Sequence, residues 1–471
     1  MKRFFCIVLA ALIAAALAGC SGGGSAGPVL SHNIARLYFP DERVSRFVLD
    51  GGLIEGSVPG KALMDTSADG RTSLAWVDTA VSFVSAEGAE ALGTGISAAE
   101  ISFDGRKAVW LDGNELKLYS AETRKTEVIA SGVEKLTQAA ISPQSECMAF
   151  TLRFEGEDAD VCRLFRAGEL TELLPDERAT VLAVSDDGSL VYYLVAATGE
   201  FRVRRGEESV TVFDSCGGAT NYNFTNDLKE AAFNGEDGVW RLWRLEDGSL
   251  TELGGGFQFT LKTDIYSMNL ITAFVYINDV ETFTNGLWLK RVKANDSYEY
   301  TVCFMDGKGD LRVLAENADA YAASPDGSCV YYTAGGELFR AKVNGGTERI
   351  ASMVNDFCLT EDGKNLYFID GASEVELYTG SGRPERVIAG EVSSVSAIGS
   401  RGLCIKADGT LWSLRGAKTE KLLDNASYMD KRSGQLMVYA DETEVEGASL
   451  YSVYFTTDGA SLSLLGERVM P

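Results

Sequence analysis

The chain has 471 residues, of which 68 are acidic and 43 basic, and its formal net charge is −25 at pH 7. This acidic excess excludes nucleic-acid binding through a basic surface, because contacts to phosphate need clustered Lys and Arg. The single histidine, His32, excludes the common catalytic triads, which need an imidazole beside the nucleophile. It also leaves the common zinc and iron sites without their usual ligands, so we expect no bound metal of that kind.

The first twenty residues are arranged as an export signal. Lys2 and Arg3 precede a short apolar run, and the segment ends in Leu17-Ala-Gly-Cys20, a layout typical of cleaved signal peptides. The ending resembles the lipobox of bacterial lipoproteins, in which the cysteine after the cut receives a diacylglyceryl group. The resemblance implies lipidation of Cys20 and a protein anchored on the outer side of the cell membrane, or in the outer membrane of a two-membrane cell. A plain secretory signal or a short anchor helix is the alternative.

Residues 21–33 follow as a tether rich in glycine and serine. Such a composition behaves as a flexible coil and would hold the folded part away from the lipid. We therefore assign 1–20 to the signal peptide, 21–33 to the tether and the remainder to folded repeats.

A short phrase recurs along the folded part, each time before an apolar, aromatic-rich segment. It reads Ser102-Phe-Asp-Gly105, Ser185-Asp-Asp-Gly188, Ser324-Pro-Asp-Gly327 and Thr360-Glu-Asp-Gly363. Self-similarity at a period of roughly 35 to 45 residues indicates a repeat architecture. Asp-Gly supplies the positive φ angles of a tight turn between two strands.

No long 3.6-residue apolar period occurs beyond the tether, so we predict an all-β fold. Each unit fits a four-stranded antiparallel blade that must stack on its neighbours to bury both faces, which predicts a β-propeller. About ten units can be distinguished, as two smaller rings or one large ring. Because rings usually have about four to eight blades, we favour two rings, with a first half over 34–256 and a second over 257–471. Leu37-Tyr-Phe39 belongs to a unit without its first strand, and we expect Leu462 to Leu465 to complete it.

The repeats resemble the WD40-like repeats of the TolB type, which also occur in propellers of prolyl oligopeptidase relatives. The best match is Ser324-Pro-Asp-Gly-Ser-Cys-Val-Tyr-Tyr332, and the resemblance covers most of residues 60 to 450. It implies a scaffold and not an activity. Ser142-Pro-Gln-Ser145 and the irregular stretch from Leu261 to Leu314 depart from it.

Seven cysteines follow Cys20, and no Cys-x-x-Cys motif occurs among them. Several lie inside predicted strands, so we interpret them as small buried residues and not as a disulfide framework. Cys147 and Cys162 fall on adjacent strands of one unit, and a bond between them is the alternative.

Binding residues are expected on the face opposite the Asp-Gly turns, where three loops are longer and more acidic than the others. The candidates are Glu155, Glu157, Asp158 and Asp160 in the first loop, Asp279, Glu281 and Phe283 in the second, and Asp441, Glu442, Glu444 and Glu446 in the third. Carboxylates would suit a cation-rich partner, or Ca²⁺ with its preference for several oxygen ligands. No Asp-x-Asp-x-Asp-Gly calcium loop is present, and solvated hairpin tips are the plainer interpretation.

The sequence thus predicts a membrane-tethered, extracytoplasmic propeller without catalysis or cofactor that binds a protein, peptide or glycan. One alternative is a carbohydrate-active enzyme, a glycosidase or lyase, because paired carboxylates can act without histidine. Another is an accessory sensor of an envelope complex. Two carboxylates facing each other in the channel would favour the enzyme.

Overall fold

The computed structural model describes residues 34–50, 52–67, 70–175, 177–216, 221–255, 257–258, 276–277, 283, 286–294, 297–432, 435–445 and 447–470. The predicted signal peptide and tether, with Cys20 and His32, lie outside these residues. All regular elements in the described ranges are β-strands, and none of these ranges contains a helix that could span a membrane.

The described strands form eleven sheets, numbered here as blades 1 to 11 in chain order. The first five blades contain the following strands: β1 Ala35–Phe39, β2 Val44–Leu49, β3 Gly52–Leu53 and β4 Val58–Pro59; β5 Leu63–Thr66, β6 Ser73–Val77, β7 Ala80–Ser85 and β8 Gly88–Gly93; β9 Ile96–Ile101, β10 Lys107–Asp112, β11 Glu115–Ser120 and β12 Lys125–Ser131; β13 Val133–Ile141, β14 Cys147–Phe154, β15 Val161–Arg166 and β16 Glu169–Glu172; β17 Ala179–Val184, β18 Leu190–Val195, β19 Phe201–Arg205 and β20 Glu208–Phe213.

Blades 6 to 11 continue the pattern with these strands: β21 Tyr222–Phe224, β22 Glu230–Asn234, β23 Val239–Arg244 and β24 Leu250–Gly255, to which β26 Tyr276–Ile277 adds; β25 Phe257–Gln258, β27 Gly286–Ala294, β28 Ser297–Met305 and β29 Leu311–Ala318; β30 Ala320–Ala323, β31 Cys329–Ala334, β32 Glu337–Lys342 and β33 Thr347–Ser352; β34 Asp356–Leu359, β35 Leu366–Ile369, β36 Val375–Tyr378 and β37 Glu385–Ile388; β38 Val392–Ile398, β39 Arg401–Lys406, β40 Leu411–Arg415 and β41 Lys418–Leu423; β42 Ala426–Arg432, β43 Gln435–Val445, β44 Ala448–Thr456 and β45 Ser463–Val469.

Neighbouring strands within a blade are antiparallel, apart from the parallel pair β21 and β26. The second strands are apolar on both faces because every blade has a neighbour on each side. Tyr192 and Tyr193 are adjacent in β18 and therefore point to opposite faces of blade 5. Tyr192 packs with Phe224 of blade 6, while Tyr193 packs in a cluster with Cys162 of blade 4. Both side chains are fully buried. This explains the continuous aromatic runs that the sequence shows in place of strict alternation.

The blades form one closed ring. Hydrophobic clusters join each blade to the next, and the last of them packs Tyr439 and Met437 of blade 11 against Leu37 of blade 1. One cluster crosses the expected boundary near residue 256, where Trp240 of blade 6 packs with Trp288 of blade 7. The predicted all-β propeller with four-stranded blades is confirmed. The preference for two rings is wrong, because no gap in packing separates the halves.

The recurring phrase forms the turn between the first and second strands of a blade. Ser102 Oγ donates to Asp104 Oδ1 at 2.8 Å and accepts the amide N–H of Lys107 at 2.9 Å. Asp104 also accepts the N–H of Arg106 at 3.1 Å, and Gly105 has a φ of 65°. The hydroxyl, the carboxylate and the glycine each serve a different part of the turn, so the phrase is structural.

Blade 1 lacks a first strand among the described residues, as the sequence predicts, but its closure differs from the expectation. Leu462 to Leu465 do not complete it, because β45, Ser463–Val469, is the fourth strand of blade 11. Instead the N–H of Met470 donates to the carbonyl of Tyr38 at 2.9 Å. Arg468 pairs with Asp41 at 2.5 Å beside this contact. The two ends of the described chain therefore meet at one seam.

Candidate functional site

The ring has two faces with different connections. Since successive strands are antiparallel, the Asp-Gly turns between first and second strands lie on one face, called here the turn face. The connections between second and third strands lie on the opposite side, called the hairpin face. The first strands form the inner wall around the axis, as in other propellers.

The first acidic loop is the hairpin tip between β14 and β15 of blade 4, on the hairpin face as predicted. Glu155, Glu157 and Asp158 are exposed, and Glu155 accepts a hydrogen bond from Asn114 of blade 3 at 3.1 Å. Asp160 differs, because Arg153 binds it at 2.8 Å and Thr137 donates to it at 2.9 Å. Partial burial raises the pKa of Asp160, but these hydrogen bonds outweigh it and the pKa is lowered. Asp160 thus stabilises the hairpin, and the other three carboxylates face solvent.

The third acidic loop is the hairpin of β43 and β44 in blade 11, which extends beyond the body of the sheet. The last five residues of β43, Asp441 to Val445, are all exposed. Glu442 accepts a hydrogen bond from Ser449 at 2.7 Å. Hydrogen bonds from Ser449 and then from Tyr451 lower the pKa of Glu442. Asp441 accepts a hydrogen bond from Asn425 at 3.3 Å. No Lys or Arg among the described residues forms an ion pair with Asp441, Glu442 or Glu444, so within the described part of the chain the negative charge of this tip is unpaired. Glu446 lies outside the described residues.

The second expected loop is not a hairpin-face loop where the structure describes it. Asp279 and Glu281 lie outside the described residues. Phe283 is only 2% exposed and packs against Trp288, whose indole N–H donates to the Phe283 carbonyl at 3.1 Å. The backbone N–H of Phe283 donates at 2.7 Å to the side chain of Glu230. Glu230 is the first residue of β22, which starts at the turn face. The prediction of Phe283 as a binding-face residue is therefore wrong, since its ring is part of the core between blades 6 and 7.

The structure does not bring the acidic loops into one pocket. The hairpins of blades 4 and 11 share a face, but blades 1, 2 and 3 lie between them around the shorter arc. They are two separate acidic projections. A partner that touches both would have to span this arc.

Three carboxylates on first strands were not predicted as site residues. Asp65 of blade 2 is exposed and Glu100 of blade 3 is half-buried, both on the inner wall near the turn face. Burial, with a smaller contribution from the charge of Asp65, raises the pKa of Glu100 to about 8. Burial among the protein atoms of the wall also raises the pKa of Asp65 and of Asp356, on the first strand of blade 9, although water reaches both side chains. In the sequence, these three residues are marked only by an acidic side chain within a predicted first strand. This feature does not distinguish them among the 68 acidic residues of the chain.

A shallow depression of about 400 Å³ lies on the turn face between blades 4 and 5. Glu146, Arg166, Ala167, Asp186 and Asp187 line it. Asp186 accepts the N–H of Gln144 at 2.7 Å, and Asp187 accepts from Ser185 and Ser189 within its own turn. Two of its carboxylates are thus part of the turn structure.

No group of three His, Cys, Asp or Glu side chains in the described ranges is arranged to hold a metal ion. The seven cysteines after Cys20 are free thiols. Cys147 and Cys162 are on adjacent strands, but Cys147 lies opposite Arg166 and Cys162 opposite Thr151. The alternative of a disulfide between them is therefore wrong. Burial raises the pKa of both thiols to about 11, so neither is a nucleophile at neutral pH.

No family model and no curated protein matches this sequence. Solved structures similar to it include a eukaryotic initiation factor, with 11% identity over 87% of this chain and 96% of that chain and a TM-score of 0.39. A chain of a mitotic checkpoint complex has 14% identity over 60% of this chain and 86% of that chain, with a TM-score of 0.37. The tricorn protease has 9% identity over 86% of this chain and 58% of that chain, with a TM-score of 0.30. These similarities concern the fold alone.

Proposed function

We propose that this propeller is a non-catalytic binding module, anchored outside a bacterial membrane through Cys20, whose hairpin face binds a cationic protein or peptide. The observation that carries the proposal is the projecting hairpin of blade 11. Its tip presents Asp441, Glu442 and Glu444 to solvent without a compensating cation among the described residues. Exposed charge of one sign raises the association rate of an oppositely charged partner.

Several other carboxylates on the same face pair with a nearby arginine, as in Glu42 with Arg46, Asp41 with Arg468, Glu200 with Arg202, Asp237 with Arg241 and Glu374 with Arg386. Among the described residues, no Lys or Arg forms an ion pair with the exposed Glu157 and Asp158 at the tip of blade 4, or with Asp441, Glu442 and Glu444 at the tip of blade 11.

The binding proposal predicts that charge at one hairpin, and not net charge, determines affinity. The probe is a fluorescent lysine-rich peptide, titrated into the purified protein at low salt. We expect the double variant Glu442→Gln and Glu444→Gln to weaken binding by about tenfold, since each 1.4 kcal/mol of lost attraction is a factor of ten.

The matched control is Glu207→Gln with Glu208→Gln, which removes the same charge from exposed positions of blade 5 at the turn face. This variant should bind the peptide within about twofold of the wild type, because exposed charges more than a Debye length of about 10 Å away are screened. Equal weakening by both variants would show a diffuse effect of net charge and would contradict a site on the hairpin face.

The anchor proposal predicts that Cys20→Ala moves the protein from the washed membrane fraction to the soluble fraction. The acyl chains supply the membrane affinity, and no helix in the described residues is long and apolar enough to cross a membrane. Cys6→Ala, within the same leader, is the control and should remain with the membrane. Retention of the Cys20→Ala protein in washed membranes would rule out the lipid anchor.

A carboxylate-dependent, glycan-active enzyme is the second candidate, and the inner-wall residues Asp65 and Glu100 favour it. With its pKa raised to about 8, Glu100 holds a proton at neutral pH, as a general acid must, while a neighbouring carboxylate can act as base or nucleophile. Release of reducing ends from a polysaccharide panel, lost in Glu100→Gln, would support this candidate over the binding module.

A further inference from the structure

The chain enters the ring on the turn face. The N–H of Ile34, the first described residue, donates to the carbonyl of Gly70 at 2.7 Å. Gly70 belongs to the turn between the first and second strands of blade 2 and donates to Ser67 within it at 2.8 Å. Ile34 is only 5% exposed and packs in a cluster with Phe47 and Ala62. The entry point is thus part of the core.

The direction of β1 confirms this placement independently. From Ile34 the strand runs across the depth of the ring to Asp41, at the turn between β1 and β2. Asp41 pairs there with Arg468, near the end of β45, the fourth strand of blade 11. A fourth strand runs from the turn face to the hairpin face, so Asp41 lies on the hairpin face and Ile34 on the opposite side.

We infer that the anchor holds the ring with its turn face toward the lipid and its hairpin face, with both acidic tips, away from it. This inference depends on the lipid anchor of the proposed function. It also specifies the partner further: a cationic protein or peptide that approaches from the side away from the anchoring bilayer.

Tether length supports this orientation. Thirteen residues, 21–33, separate Cys20 from the ring and span at most about 45 Å when fully extended. A Gly-rich coil of thirteen residues has a mean end-to-end distance of about 20 Å. To turn the hairpin face toward the lipid, the tether would have to cross the whole depth of the ring. One six-residue strand such as β10 already spans about 20 Å.

Charge supports the same orientation. A leaflet that contains anionic lipid such as phosphatidylglycerol attracts basic groups and repels acidic ones. On the turn face, Asp104, Asp227 and Asp362 each pair with an exposed cation of their own turn, Arg106, Lys229 and Lys364. The acidic tips of blades 4 and 11 are on the other face. Repulsion of these tips by the headgroups disfavours the inverted arrangement.

The test compares two labels at opposite ends of β10, on the same blade. Arg106→Cys places a thiol on the turn face, and Asn114→Cys places one on the hairpin face; both positions are exposed. Six of the seven native cysteines after Cys20 are buried and the seventh is half-buried, and lipid blocks Cys20, so a maleimide dye should label the added thiol. The unmodified lipoprotein, treated identically, gives the background. The full-length lipidated proteins are reconstituted into vesicles of phosphatidylethanolamine and phosphatidylglycerol that contain a headgroup-linked energy acceptor.

We expect energy transfer from position 106 to be at least twice that from position 114. Equal transfer, or the reverse order, in proteins that float with the vesicles would overturn the orientation and leave the anchor intact. A lipidated protein that fails to float would overturn the anchor, and the orientation with it. The two proposals therefore fail in distinguishable ways.

Discussion

Single residues in the turns bind neighbouring blades together, and the glycine of the recurring phrase is the clearest case. Gly363 of blade 9 has a φ of 68°, and a Cβ at this position would lie 2.7 Å from Cδ of Pro325 in the turn of blade 8. Gly327 has nearly the same φ, 67°, but nothing lies within 4 Å of its Cβ position. Gly363 is therefore required both by its positive φ and by the close approach of Pro325, whereas Gly327 is required by its positive φ alone.

We predict that Gly363→Ala destabilises the protein more than Gly327→Ala. Both variants incur about 1 to 2 kcal/mol for a left-handed backbone with a side chain. Gly363→Ala adds about 1 to 3 kcal/mol of overpacking, because the rigid ring of Pro325 cannot rotate away. Urea denaturation of both variants and the wild type measures the difference. Equal losses would mean that the turns of blades 8 and 9 do not press on each other.

Glu100 gives the stability of the protein a pH dependence of known sign. Its pKa is raised from the ordinary 4.5 to about 8, so between these values the folded state holds a proton that the unfolded state has lost. The contribution of Glu100 is therefore fully present below about pH 4.5 and is lost as the pH rises through about 8.

We predict that Glu100→Gln stabilises the protein at pH 8.5 by about 2 kcal/mol, a value reduced for access of water to the inner wall. At pH 4 the variant should match the wild type, because both side chains are then neutral. The exposed Glu134 of blade 4, changed to Gln, is the control and should give no such difference. Urea denaturation at the two pH values measures it. If Glu100→Gln and the wild type are equally stable at pH 8.5, the pKa of Glu100 is not raised by burial, and the prediction is wrong.

At the scale of elements, the turns formed by the recurring phrase could be predicted from the sequence, because each residue of the phrase acts within its own turn. The serine hydroxyl donates to the aspartate, and both side chains accept backbone N–H groups of the same turn. Thr360 and Asp362 repeat this pattern. Local hydrogen bonds of this kind depend on sequence spacing alone. Turns, strand pairing within blades and the hairpin-face position of the first and third acidic loops could therefore be predicted.

Turns that depart from the phrase could not be predicted from the sequence, because residues of a neighbouring blade supply the hydrogen bonds that stabilise them. In Ser142-Pro-Gln-Ser145 the position of the glycine is taken by Ser145, with a φ of 60°. Its hydroxyl donates to Asp104 in the turn of blade 3, and Lys107 donates to its carbonyl at 2.7 Å. Contacts between blades depend on which turns are adjacent in space. The same limitation explains Phe283, whose aromatic ring suggested a binding residue until its packing with blade 6 was known.

At the scale of the whole molecule, blade number and ring closure depend on packing between sheets that no local pattern encodes. Each blade presents two apolar faces whatever the size of the ring, so the sequence is compatible with one ring or two. Only the contact of blade 6 with blade 7 and the seam between blades 11 and 1 distinguish them. A single ring has a consequence that two rings would not have: neither half can bury its terminal blades alone.

We predict that residues 34–256, produced alone, do not fold into a stable domain. Trp240 and Leu242 would be exposed at one end and Leu37 and Phe39 at the other, all of which are buried in the intact ring. Fully burying a large apolar side chain contributes about 1.5 to 3 kcal/mol. Exposing these four side chains therefore costs a free energy comparable to the roughly 5 to 15 kcal/mol that stabilises a typical domain. In the fragment we expect a weak near-UV circular dichroism signal, from loosely packed aromatic side chains, and strong binding of an apolar dye. Co-expression with residues 257–471 should restore the near-UV signal and abolish dye binding, because the second half restores both interfaces. A soluble, cooperatively unfolding fragment would instead indicate two independent rings.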